Sequence, residues 1–92
     1  MAPVACVNRT ASGLVSLDGS TPRRFHGAGL TAGAAAVVEI RDGGATGTIL
    51  WAGRVGAAGE IDSPFSDRGI ATANGVYVNI VSGTPTVWIY VS

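Results

Sequence analysis

Hydrophobic and polar positions alternate in twos along most of this chain. In the stretch from residue 34 to residue 55, AAAVVEIRDGGATGTILWAGRV, Val38 and Ile40 alternate with Glu39 and Arg41. The Asp42-Gly43-Gly44 cluster interrupts, and Ile49, Trp51 and Val55 resume the alternation. A period of two is the spacing of a strand with one buried face. The stretch therefore predicts two half-buried strands joined by a loop, with the rest of the chain arranged around them. Ala34, Ala35 and Ala36 favour helix by intrinsic propensity, but β-branched residues follow and Asp42-Gly43 soon stops the element, so the expectation is a strand.

Carried along the chain, the same reading predicts further short strands. The apolar start up to Val7, with Pro3 near its beginning, suits a terminal arm or an edge strand, and residues 8–12 are polar and predict a turn. Residues 13–17 alternate weakly, with Leu14 or Val15, and Leu17, as candidates for burial. Asp18-Gly19-Ser20-Thr21-Pro22 predicts a loop. RRFHGAGL, residues 23–30, reads as a strand anchored by Phe25. Residues 56–59 read as a small-residue turn, residues 60–65 as an extended piece ending near Pro64, and Ile70 precedes a loop over residues 71–75. At the end, Val76, Val78 and Ile80 alternate with Tyr77 and Asn79, Ser82-Gly83-Thr84-Pro85 turns, and Val87, Ile89 and Val91 alternate with Trp88 and Tyr90, which predicts a hairpin. The expected fold class is all-β: a compact antiparallel β-sandwich or jelly-roll-like barrel of seven to eight short strands. Residues 1–92 are expected to form a single β-sandwich domain, with residues 1–12 as a candidate N-terminal arm.

Composition narrows the function classes. Hydrophobic residues make up 47% and charged residues 13%, about half the usual charged share, so another subunit is expected to cover part of the surface. Six arginines, no lysine and six acids leave a net charge of +0, which argues against nucleic acid as a partner, because non-specific binding there depends on excess cationic side chains. No apolar run approaches membrane-spanning length, so no membrane partner is expected. The start shows no charged segment followed by an apolar run, which predicts synthesis in a cytoplasm without export and leaves the Asn8-Arg9-Thr10 sequon without weight. Cys6 is the only cysteine, so no internal disulfide can form, and a buried or incidental thiol is expected.

Candidate chemistry is sparse. Gly27, Gly29 and Gly33 give GxGxxxG rather than the dinucleotide fingerprint, and the chain is too short for the rest of a doubly wound domain. Those glycines read as bends, bulges or close backbone approaches. His26, the only histidine, has no cysteine or carboxylate at ligand spacing and reads as structural or incidental. No serine sits in a G-x-S-x-G elbow, and a nucleophile would need His26 and an orienting acid brought to it. Asp42, Asp62 and Asp67 read as loop aspartates bonding local backbone rather than calcium. The expectation is no catalytic, metal or cofactor residue, and no enzyme. Either face of a sandwich strand can be the buried one; if Val87, Ile89 and Val91 form the core, Trp88 and Tyr90 point outward and make the candidate interface.

Certain segments carry a resemblance. A Gly-punctuated first half, V-E-I-R-D-G at residues 38–43, T-I-L-W at 48–51, Ser63-Pro64-Phe65 with Gly69-Ile70 soon after, G-V-Y-V-N-I at 75–80 and V-W-I-Y-V at 87–91 together resemble a group of small tailed-bacteriophage virion proteins. The resemblance covers residues 13–91 and consists of strand and turn patterns. It implies a compact β-sandwich that decorates or completes the particle: a capsid decoration or cement protein, located in the virion after synthesis in the host cytoplasm. The implied partners are the major capsid protein and copies of the same chain in a symmetric homo-oligomer, a trimer. Related small modules also occur in tails and fibres, and the alternative is such a module binding host-surface glycan, with Trp88 and Tyr90 stacking on sugars.

Overall fold

The computed structural model describes residues 4–16, 19–64 and 69–92 and is all-β, with no helix among them. In chain order the strands are β1 (Ala5–Arg9), β2 (Gly13–Leu14), β3 (Arg24–Ala32), β4 (Ala36–Asp42), β5 (Ile49–Val55), β6 (Gly59–Pro64), β7 (Ile70–Ala71), β8 (Val76–Ser82) and β9 (Thr86–Val91). That is two elements beyond the seven long enough to alternate, since β2 and β7 have two residues each. All pairings are antiparallel and build two sheets. One runs β1-β9-β3-β6 with β7 also on β3, and the other runs β2-β8-β4-β5.

The sandwich closes because one face of each long strand is apolar. Phe25, Ala28 and Leu30 of β3 and Val87, Ile89 and Val91 of β9 face Val38 and Ile40 of β4 and Val76 and Val78 of β8, all fully buried. Each of the larger side chains contributes roughly 1.5–3 kcal/mol when taken from water. Val15 joins this core while Leu14 is 51% exposed, which decides between the two sequence candidates; Leu17 lies outside the described residues.

The predicted pair of central strands forms as β4 and β5, with Ile40 opposite Trp51 and Ala36 opposite Val55. One position departs from the alternation. The register shifts between Ile40 and Arg41, so Leu50 is an extra residue in β5. Leu50 and Trp51 both pack on the core, and Ile49 is left 47% exposed on the outer face. A bulge places two consecutive side chains against one partner residue and so inverts the parity of whatever precedes it.

The predicted C-terminal hairpin does not form. β8 pairs β4 and β2, while β9 pairs β3 and β1, so the two strands lie in opposite sheets. The connection is an arch: Gly83 takes a φ of 83° against the Ala35 carbonyl and Ala36, and Pro85 is buried beneath it. Val76 and Val78 of β8 and Val87 and Val91 of β9 point into the same core, which is what alternation reports, but they do so from opposite sides. β1 is an edge strand, paired with β9 through Arg9, so the expected turn begins only after that residue. The Arg9 guanidinium then donates to the carbonyls of Ala11, Ser12 and Leu14 and closes that turn.

Candidate interaction face

Antiparallel register arranges the outer face of the five-stranded sheet in rows, because directly paired residues share a face. One row reads Asn8, Trp88, Gly29, Asp62, and the next reads Cys6, Tyr90, Gly27. A glycine therefore stands beside each aromatic. The Trp88 indole lies across Gly29, where a β-carbon would collide with Cε2, Cζ2 and Nε1 of the ring. Lying flat, it reaches over the β3 backbone, and its Nε1–H donates to Asp62 Oδ1 on β6 at 2.9 Å. Tyr90, in the glycine-paired row beside it, donates its hydroxyl to the same oxygen at 3.1 Å. Two aromatics from one strand thus converge on one carboxylate from a strand two places away.

Electrostatics follow from that convergence. The Tyr90 hydroxyl is pushed above its ordinary 10.0, first by desolvation, then by the bond to Asp62 and the charge of Asp62. Trp88 and Tyr90 are both half-buried, and the Trp88 indole has its backbone-facing side covered by Gly29, so the indole surface left open is the side away from the sheet. A flat aromatic surface with its polar edge already bonded can bind by stacking and apolar contact. The second oxygen of exposed Asp62 adds a hydrogen-bond acceptor at the rim.

The structure places the other singled-out residues as follows. Asp62 is on strand β6 rather than in a loop, and Asp42 ends β4. Asp42 accepts backbone N–H bonds from Ala73 and Asn74 at 3.0 and 2.9 Å, tying the β7–β8 loop to the β4–β5 hairpin. The bonds go to backbone, but to a loop 31 and 32 positions away and not to the local backbone that the sequence led us to expect. Asp67 lies outside the described residues. Cys6 is exposed on β1, not buried, because it shares the outer face with Tyr90.

His26 is 4% exposed and holds Ser92 Oγ at 2.8 Å from Nε2, so it is structural and not incidental. Strict alternation would have turned it outward. It is instead the extra residue of a bulge, since Phe25 pairs with Val91 and Gly27 with Tyr90, and Gly27 takes a φ of 130° there. The bulge brings a serine and the histidine together, which sequence spacing did not foresee. An open cleft of about 850 Å³ between segments 20–23 and 72–75 reaches Ser92. Among the described residues no group of three or more His, Cys, Asp or Glu side chains could hold a metal ion.

The outer face of the four-stranded sheet is organised differently. Glu39 Oε1 takes bonds from Arg41 Nε and from Asn79 Nδ2, and Arg41 Nη1 donates to the Gly47 carbonyl, so the centre of this face is a self-satisfied polar network. Leu14, Ile49 and Val81 are exposed around it. Compared with known proteins, the chain matches no family model, no curated protein and no solved structure.

Proposed function

We propose that this chain is a non-enzymatic structural module of a tailed-phage particle, a decoration or cement protein that attaches to the major capsid protein as a symmetric oligomer. The observation that carries the reading is the outer-face cluster of Trp88, Tyr90 and Asp62, an aromatic surface in which Gly29 seats the indole and one carboxylate oxygen holds both rings. Support comes also from the resemblance of residues 13–91 to small virion proteins, which implies the β-sandwich that the chain adopts. Attachment works by burying the open aromatic surface at little entropic cost, because the rings are already held in place before binding. The low charge of the chain suits such a surface.

The test is Trp88→Glu. Since the indole lies outside the core, the variant is expected to keep its far-ultraviolet circular dichroism spectrum while its affinity for preformed capsids falls. Removing a central tryptophan from an interface costs about 2 kcal/mol or more, roughly a thirtyfold rise in Kd. Normal attachment by a folded Trp88→Glu chain would move the capsid contact to another face.

A second reading has its own observation. The indole is laid parallel to the sheet with an acceptor oxygen at its rim, an arrangement that suits a sugar ring stacking on carbon and bonding through hydroxyls. In that case the module belongs to a tail or fibre and binds host-surface glycan. Calorimetric titration with oligosaccharides separates the two: saturable heat lost in Trp88→Ala favours glycan, and capsid binding without it favours decoration.

A further inference from the structure

The two sheets leave strand edges that differ in how they are protected. An unpaired edge exposes N–H and C=O groups that can pair with another chain, and proteins block this with charges, proline, bulges or very short strands. β2 and β7 are two residues long, β5 carries the Leu50 bulge and the exposed Arg54, and β6 carries Glu60 and Asp62 and ends in Pro64. β1 has none of these devices along Ala5-Cys6-Val7-Asn8, and no described strand lies on its far side. Its one charge, Arg9, stands at the strand end and is turned onto carbonyls of its own chain.

We infer that the β1 edge pairs with the β1 edge of a second copy, antiparallel about a two-fold axis at Val7. The choice of a second copy rests on face matching and charge. A two-fold centred on one residue sets outer positions against outer and inner against inner, so Cys6 meets Asn8 of the copy and the two Val7 side chains meet on the core side. Val7 already packs against the core, so its meeting with the other Val7 continues that apolar seam across the axis. The two Arg9 residues fall at opposite ends of the pairing, about 14 Å apart along the strands. β6 cannot do the same. Centred on Ile61 it would set Asp62 against Glu60, and centred on Asp62 it would set two aspartates face to face, and like charges directly opposite destabilise a ladder.

The consequence for the proposed attachment is geometric. Joining β1 to its copy orders the strands β9-β1-β1-β9 in one continuous sheet, so the two Trp88 and Tyr90 surfaces share a face about 14 Å apart, three strand spacings. A two-site surface then gains from effective concentration when both engage. The symmetry is two-fold, in place of the threefold that the resemblance implies. The edge pairing itself rests on β1 alone and holds whether the target is capsid or glycan.

The experiment uses the full chain in solution. Light scattering is expected to give the mass of two chains. A short bismaleimide should join the two Cys6 thiols, which lie on diagonal positions about 7–8 Å apart between α-carbons. The double variant Cys6→Lys, Asn8→Lys changes two exposed side chains and sets lysine opposite lysine twice; it should give the mass of one chain with an unchanged circular dichroism spectrum. A one-chain mass for the unaltered protein at high concentration, or a dimer that survives both lysines, would overturn the pairing. A three-chain mass would overturn it too while leaving the attachment reading standing, and a two-chain protein that binds neither capsid nor glycan would do the reverse.

Discussion

Gly29 matters for the side chain it lacks. Any β-carbon there occupies the space of the Trp88 ring, so Gly29→Ala must lift the indole and lengthen its bond to Asp62. Overpacking of this kind costs about 1–3 kcal/mol. The expected outcome is a lower urea midpoint with an unchanged strand spectrum, together with a red-shifted tryptophan emission. Tyr90 makes a prediction in pH. Its folded-state pKa is raised, so the unfolded chain loses the phenolic proton first, and the native state holds more protons over that interval. Its contribution to stability is therefore complete below 10.0 and is lost as pH rises through the folded value. Urea midpoints measured on either side of that pH should fall more steeply for the unaltered protein than for Tyr90→Phe.

At the scale of elements, the arch from β8 to β9 decides the topology. Gly83 combines a φ of 83° with a site where a β-carbon would stand 2.6 Å from the Ala35 carbonyl oxygen. A non-glycine residue there costs about 1–2 kcal/mol from backbone conformation alone, before the clash is counted. Gly83→Ala is expected to lower stability by about 2 kcal/mol or more. Thermal unfolding followed by circular dichroism measures this, and a change within a few tenths would mean that the arch is not constrained as described. The β4–β5 hairpin is held differently, by Asp42 reaching two N–H groups of the loop before β8. One carboxylate there links two connections that are distant in sequence.

For the whole molecule, connectivity sets the folding rate. β4 and β5 are the only strands adjacent in both chain and sheet among the described residues, and β1 must wait for β9, which pairs Ala5 with Val91. Non-local pairing makes loop closure precede most of the stabilising contacts, so refolding is expected on the millisecond-to-second scale rather than in microseconds. Stopped-flow tryptophan fluorescence measures it, and a microsecond phase carrying the full amplitude would contradict this arrangement of strands.

Period-two alternation by itself marked the long strands β4, β5, β8 and β9, and it grouped Val38 with Ile40, Val76 with Val78, and Val87 with Ile89 and Val91 on one face of each strand, the face that the structure buries. It could do so because whether a side chain leaves water depends on its own chemistry and on neighbours two residues away, which the chain states directly. It also set Trp88 and Tyr90 on the face opposite the core valines of β9. What only the tertiary structure decided was partnership. A strand pairs through backbone groups that nearly every residue carries alike, so no local pattern told β8 to take β4 instead of β9. Bulges at His26 and Leu50 insert a single residue whose effect is visible only against a partner strand, and they left His26 buried and Ile49 exposed. Asp62 met Trp88 and Tyr90 for the same reason: the residues are 26 and 28 positions apart in the chain, and the register of β6 and β9 on either side of β3 brings them together.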